Sequence, residues 1–136
     1  MGKVIVIFFH TILFFVFPVL AKDVIMEKYS TDINNDGKVE YLIHEFFGGT
    51  GAYGILTIYA DKGEVILKEK TQGDPFFKDP NKHIYTLNPQ FFKDVDKDGI
   101  LEILIGHQEY QNNTPNFSAP WVFKTYKWNG KKYISS

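Results

Sequence analysis

The chain contains the same acidic loop twice. Residues 32–40 read DINNDGKVE and residues 94–102 read DVDKDGILE, so both fit D-x-[DN]-x-D-G-x-x-E and start 62 residues apart. Each loop is followed by an apolar run, a polar loop, an aromatic run, a tight turn and a final strand-like segment. A repeated unit of this kind is often unable to bury its apolar face alone. The sequence therefore predicts two equivalent units, at about residues 29–71 and 91–136, packed on each other or on other copies.

The segments around the loops have the composition of β-strands. One apolar run follows each loop, and one aromatic, β-branched run comes later in each unit and is closed by a turn signal such as Asn129-Gly130. The apolar runs suit strands buried on both faces. Residues 72–83 contain two Asp-Pro steps and are predicted to form a loop. We expect an all-β chain with no helix after the N-terminal segment, and with strands at these places: Val39–Ile43, Tyr53–Tyr59, Ile100–Ile105 and Val122–Trp128.

The spacing of oxygen-bearing side chains in the two loops is typical of a calcium site. Side chains at positions 1, 3 and 5 converge when the chain winds tightly, and glycine at position 6 permits the turn that brings in the carbonyl of position 7. The acid at position 9 can close the cage. Hard oxygen ligands favour Ca²⁺ over zinc or copper, and Mg²⁺ is an alternative that prefers octahedral sites with retained water. The predicted ligands are Asp32, Asn34, Asp36, the Lys38 carbonyl and Glu40 in loop one, and Asp94, Asp96, Asp98, the Ile100 carbonyl and Glu102 in loop two.

The alternative readings of the loops are an EF-hand and a solvated turn. An EF-hand requires a bidentate glutamate at position 12 between two helices. Here position 12 is Ile43 or Ile105, and the flanks read as strands. Asp, Asn and Gly also make solvated turns without a metal. Two copies in register favour metal binding, because carboxylates this close repel one another unless a cation offsets their charge. Loop two is expected to bind more tightly, because it has Asp96 where loop one has the neutral Asn34.

At these residues the chain resembles the FG-GAP/VCBS-type calcium-loop repeats of integrin-like β-propellers. DINNDGKVEYLI and DVDKDGILEILIG resemble the loop-then-strand signature of those repeats, and YKWNGKKY resembles their last hairpin. The resemblance implies four-stranded antiparallel units resembling propeller blades, each with one Ca²⁺ held by the ligand set above, in extracellular or periplasmic proteins that mostly bind partners. Propellers use roughly four to eight blades, so two units cannot close a ring. The units are expected to be open or packed face to face, or to assemble with other copies.

The first 21 residues have the pattern of a signal peptide. Lys3 provides a short positive region, an apolar run follows to Phe17, and Pro18 precedes the Val-Leu-Ala that ends at Ala21. We expect cleavage near Ala21, a secreted or periplasmic domain over residues 22–136, and no membrane association after cleavage. The alternative is that the segment is retained as a membrane anchor, since the run is near the lower length limit for a span.

Composition and missing motifs narrow the function. A net charge of −1 without any arginine argues against nucleic acid as a partner, and the absence of cysteine excludes a disulfide scaffold and a thiolate metal site. No nucleophile elbow or HExxH motif is present, so we expect no enzymatic activity. The sequence predicts a calcium-binding module with a protein or glycan partner. The alternatives are a structural subunit that forms larger assemblies, including homo-oligomers, and a small calcium-dependent hydrolase.

Overall fold

The computed structural model describes residues 24–48, 53–79, 81, 85–108, 110–111, 114–115 and 118–136. The predicted signal peptide, residues 1–21, lies outside them. The described residues form strands joined by turns, with no helix among them. In chain order the strands are β1 Ile25–Thr31, β2 Glu40–Gly48, β3 Tyr53–Tyr59, β4 Val65–Gln72, β5 Phe76–Lys78, β6 Tyr85–Leu87, β7 Phe92–Lys93, β8 Glu102–Gln108, β9 Tyr110–Gln111, β10 Thr114–Pro115, β11 Trp121–Trp128 and β12 Tyr133–Ser135.

Eight strands make two antiparallel sheets of four strands with the same connectivity. The first sheet has the order β1-β2-β3-β4, and the second has the order β7-β8-β11-β12, with the β9–β10 hairpin inserted between β8 and β11. The predicted all-β class and the pair of four-stranded antiparallel units are thereby confirmed. No closed barrel or propeller is formed by the part of the chain that the structure describes.

The turns between the outer strands form where the sequence places glycine. Gly63 has a φ of 84° and donates its N–H to the carbonyl of Ala60 at 2.8 Å. Gly130 has a φ of 91°, and the preceding Asn129 accepts backbone N–H bonds from Lys131 and Lys132. Positive φ carries little steric cost for glycine, which explains why the chain reverses at these two points.

The two sheets pack face to face, but the side of the repeat that is buried in the first sheet is the opposite of the side that is buried in the second. In β2, Leu42 and His44 are buried and Tyr41 is exposed; in β8, Ile103 and Ile105 are buried. Counted from the start of each loop, the buried residues are at positions 11 and 13 in the first sheet but at positions 10 and 12 in the second. Since neighbouring residues of a strand point to opposite faces, the same strand uses one face in the first sheet and the other face in the second.

One hydrophobic core lies between the sheets. Strand β4 contacts β8, and buried side chains from both sheets form a single cluster. Its fully buried members include Ile33, Leu42, Leu56, Ile58, Phe76 and Ile103. The expectation that Val39–Ile43 is a strand buried on both faces is wrong at its start. Val39 lies before β2 and is exposed, and Tyr41 is exposed on the side of the first sheet that faces away from the core.

The connection between the sheets is not the plain loop predicted for residues 72–83. It contains β5, which pairs with β6, and Phe76 of β5 is buried against the rings of Tyr29 and His44 at centroid distances of 6.0 and 6.2 Å. The Asp74 carboxylate accepts the Phe76 N–H at 3.1 Å, which sets the turn into the strand. The Asp-Pro steps predicted a continuous loop, but β5 lies between them and contributes the buried Phe76 to the core.

Candidate metal centre

The two acidic loops occupy equivalent places in the sheets. Loop one connects β1 to β2, and loop two connects β7 to β8. Position 4 has positive φ in both loops, 56° at Asn35 and 65° at Lys97, and so does position 6, 81° at Gly37 and 88° at Gly99. Non-glycine residues adopt this conformation only where surrounding contacts favour it. The same two backbone reversals in both loops wind each loop tightly around its acidic side chains.

The aspartate at position 1 has one satisfied and one unsatisfied oxygen in each loop. Asp32 Oδ2 accepts the N–H of Gly37 at 2.9 Å, and Asp94 Oδ2 accepts the N–H of Gly99 at 3.1 Å. The other oxygen, Oδ1, is buried in both residues, and no hydrogen-bond donor reaches it from the described part of the chain. A buried carboxylate oxygen without a donor is unfavourable, and a bound cation is one way to satisfy it.

The glutamate at position 9 is buried at the base of each loop. Glu40 Oε2 accepts the N–H of Ile33 at 2.9 Å, and Glu102 Oε2 accepts the N–H of Val95 at 2.7 Å. Burial raises the pKa of Glu40, and the neighbouring carboxylates of Asp36 and Asp32 raise this pKa further. The glutamate therefore ties the start of the loop to its end and adds a carboxylate to its interior.

The side chains at positions 3 and 5 shape the turns. Asn34 accepts the N–H of Asp36 through Oδ1 at 3.1 Å and donates Nδ2 to Glu40 Oε1 at 3.3 Å. Asp36 accepts the N–H of Lys38 at 2.9 Å, as Asp98 accepts that of Ile100 at 2.8 Å. The predicted roles of the Lys38 and Ile100 carbonyls stay predictions.

Loop two brings three carboxylates close together and also recruits a lysine. One oxygen each from Asp94, Asp96 and Glu102 lies within 4.8 Å of the others; Asp98 is outside this group. The ammonium of Lys127 lies 2.9 Å from Asp96 Oδ2 and 3.5 Å from Glu102 Oε1. Its hydrogen bond lowers the pKa of Asp96. This contact could not be read from the loop sequence, because Lys127 comes from β11, 31 residues further along. The charge of Lys127 opposes the expected tighter binding at loop two.

The two loops contact each other. The carbonyl of Ile33 accepts the N–H of Leu101 at 2.9 Å and the hydroxyl of Tyr133 at 3.4 Å. A Cβ placed on Gly99 would lie 2.9 Å from Asn35 Nδ2, so the loops meet at van der Waals distance. Burial raises the pKa of Tyr133, which keeps its hydroxyl protonated as a donor. The two loops are therefore joined by a direct hydrogen bond, Leu101 lying in loop two and Ile33 in loop one.

A buried histidine cluster was not anticipated from the sequence. His44 Nε2 lies 2.9 Å from Thr71 Oγ1, and Nδ1 lies 3.4 Å from Glu27 Oε2, with Asp74 near the same atoms. Burial lowers the pKa of His44. Gly54 makes room for the imidazole, since a Cβ there would overlap Nε2. The signal in the sequence is that Glu27 and His44 fall on the core face of the first sheet by strand alternation.

This cluster has the atom order of a hydrolase triad but not its accessibility. His44 is fully buried and Thr71 almost so, which leaves the hydroxyl no open side for a substrate. Both imidazole nitrogens already have partners within the sheet. The arrangement supports a structural hydrogen-bond network that fixes β1, β2 and β4 to one another.

Comparisons of the chain with protein-family models, with curated proteins and with solved structures find no match. The search for a membrane-spanning helix, made over the described residues, finds none that is sufficiently long and apolar.

Proposed function

We propose that the chain is a calcium-stabilised, non-catalytic interaction module that works outside the cytoplasm after removal of residues 1–21. The observation that carries this proposal is the buried, unsatisfied Oδ1 atom at position 1 of both loops. An unsatisfied oxygen at one place has several explanations, but the same atom at the same position of two equivalent loops favours a common ligand. Ca²⁺ is the cation whose ligand preferences match this set of carboxylate, amide and carbonyl oxygens.

The close carboxylates of Asp94, Asp96 and Glu102 support a cation in loop two, and the same residue types at matching positions, with an unsatisfied Asp32 Oδ1, support one in loop one. Asp32, Asn34, Asp36 and Glu40 would hold it in loop one, and Asp94, Asp96, Asp98 and Glu102 in loop two, with the carbonyls of Lys38 and Ile100 completing the sets. A bound cation would neutralise the clustered carboxylates and hold the loops against each other. No chemical step is needed, and the buried His44 cluster gives no support for one. The proposed partner is a protein or a glycan rather than nucleic acid.

Thermal melts with calcium, with magnesium and with EDTA test the proposal. The protein is the chain purified after expression of the full sequence, its N-terminus defined by mass spectrometry. A large upward shift of the melting temperature with calcium, absent with magnesium, is expected. The absence of a shift with either metal would reduce the loops to acidic turns. An N-terminus at Lys22 in protein exported by the host would support the proposed location, and an intact residue 1–21 segment would contradict it.

A further inference from the structure

The contact between the two units is head-to-tail, because each unit buries a different surface in it. The surface that one unit buries has an equivalent on the other unit that is exposed. At position 2, Ile33 of loop one is 1% exposed, whereas Val95 of loop two is 53% exposed. At position 8, Leu101 of loop two packs against the core, whereas Val39 of loop one is 45% exposed. The same position is buried or open according to whether a neighbouring unit follows on that side.

On the sheets, too, equivalent positions are buried in one unit and exposed in the other. Position 10 is the buried Ile103 in the second sheet and Tyr41, 52% exposed, in the first. In the first sheet, Leu56 pairs with His44 at position 13 and lies on the core face. In the second sheet, position 13 is Gly106, and the residue that pairs with it is Phe123, which is 54% exposed. The outer face of the first sheet is thus equivalent to the buried face of the second, and the reverse also holds.

The outer faces carry apolar side chains among polar ones. On the first sheet Tyr41 and Ile43 lie beside Ser30 and Lys28 of β1, and on the second sheet Trp121 and Phe123 are exposed. Trp121 and Phe123 stack with ring centroids 6.2 Å apart, above Gly106, and help to line a groove of about 630 Å³ on the outer face of the second sheet. Arrays of stacked repeats generally need polar outer faces at their ends to stay soluble and separate. Exposed aromatic side chains that line a groove, as Trp121 and Phe123 do, are typical of an interaction site.

We propose that the partner of this chain is a second copy of itself, docked head-to-tail. The outer face of the first sheet, with Tyr41 and Ile43, would pack on the outer face of the second sheet of another copy, with Phe123 and Leu104. The interface repeats the one already present within the chain, so it is heterologous and leaves both ends of the pair open for further copies. Such an interface closes into a ring or extends as a filament, depending on the rotation between copies.

The hydrogen bond between the two loops of one chain predicts an equivalent hydrogen bond at the edge of the interface between copies. Within the chain, Leu101 donates its N–H to the carbonyl of Ile33. Between copies, the equivalent bond would run from the N–H of Val39 to the carbonyl of Val95. The proposal names the partner of the module and rests on the sheet faces, so it does not require calcium binding to be correct.

Two charged variants test whether the interface is heterologous. Tyr41→Asp disables the face on the first sheet, and Phe123→Asp disables the face on the second. Phe77→Asp is the matched control, because Phe77 is an exposed aromatic residue on the β5–β6 hairpin, outside both faces. Sedimentation velocity is measured over a range of concentrations in calcium and in EDTA, and circular dichroism verifies that each variant is folded.

The expected result has three parts. The unmodified chain and the Phe77→Asp control grow in mass with concentration, and each face variant alone stays monomeric. An equimolar mixture of the two face variants forms one-to-one dimers and nothing larger, because each retains the face that the other has lost. If the chain assembles in EDTA and calcium does not change its stability, the metal proposal fails while the proposed interface is supported.

A chemical cross-link gives an independent measurement. The chain has no cysteine, so Val39→Cys and Val95→Cys each introduce a single thiol. A short thiol cross-linker should join the Val39→Cys variant to the Val95→Cys variant in preference to joining either variant to itself. An unmodified chain that stays monomeric at every concentration overturns the proposal. So do dimers that persist in both face variants, and so does quenching of tryptophan fluorescence by an oligosaccharide in a chain that remains monomeric, which would assign the groove to a glycan.

Discussion

Replacing Asp32 by asparagine should leave the stability of the chain unchanged or raise it in EDTA, but should lower it in calcium. The Asp32→Asn variant keeps an oxygen to accept the N–H of Gly37 and places an uncharged amide NH2 where the unsatisfied Oδ1 was. This donor no longer repels the neighbouring Glu40 carboxylate, as the charge of Asp32 does. An unsatisfied buried acceptor costs about 1–3 kcal/mol. In EDTA the variant should therefore be as stable as the unmodified chain, or more stable by up to that amount.

In calcium the order should reverse. An extracellular site with a Kd of about 10⁻⁴–10⁻³ M stabilises the folded chain by about 1.4–2.7 kcal/mol at about 10 mM calcium. Losing one such site lowers the melting temperature by roughly 5–10 °C for a domain of this size. Differential scanning calorimetry in both buffers measures the two differences directly.

The matched control is Asp61→Asn. Asp61 lies in the turn after β3, its carboxylate is partly exposed, and it is 3.9 Å from the ammonium of Lys38. The substitution makes the same change of charge outside the loop, and its small effect should be the same in both buffers. The reasoning is refuted if Asp32→Asn destabilises the chain equally in EDTA and in calcium, because Asp32 would then be only a turn acceptor.

Three other predictions concern the coupling of the loops, the lysine at loop two and the buried histidine. Asp98→Ala should abolish calcium binding at loop two and also weaken it at loop one, because the loops are in contact; calorimetric titration that finds loop one unchanged would contradict this. Lys127→Met should tighten calcium binding at loop two several-fold, because the ammonium no longer competes for its carboxylates, whereas Lys131→Met, on an exposed lysine of the last turn, should leave the affinity unchanged; equal affinities in the two variants would show that Lys127 does not compete. The pKa of His44 is below its ordinary value of 6.5, so the unfolded chain takes up a proton first as pH falls, and stability that is complete above pH 6.5 should decrease by up to about 1.4 kcal/mol at about pH 5.5. Denaturant titrations at the two pH values measure it, and a His44→Gln variant with the same pH dependence would exclude His44 as the cause.

The repeat itself could be predicted from the sequence because its signal is local. The two loops contain the same residue types at the same spacing, and the strands after them have the alternation and turn residues that define short antiparallel strands. The positive φ angles at Gly37 and Gly99 are direct consequences of that pattern. The fold class needed nothing beyond these local rules.

The arrangement of the units could not be predicted, because it depends on which face each sheet buries. Tyr41 and Ile103 occupy the same position of the repeat and differ in burial only because a neighbouring sheet covers one of them. The Lys127 contact and the His44 cluster depend likewise on side chains brought together from distant strands. The hairpin that places Phe76 in the core was hidden by residues that usually indicate a loop.

The Ile33 carbonyl depends on residues far along the chain for its hydrogen bonds. It receives hydrogen bonds from Leu101 and from Tyr133, and the latter residue lies 100 positions further along the chain. Closing so long a separation is slow compared with forming the local hairpins. During synthesis, loop one consequently lacks its full set of contacts until Tyr133 has been added. A truncation before Tyr133 should therefore leave the first loop, and not only the last strand, without one of its contacts.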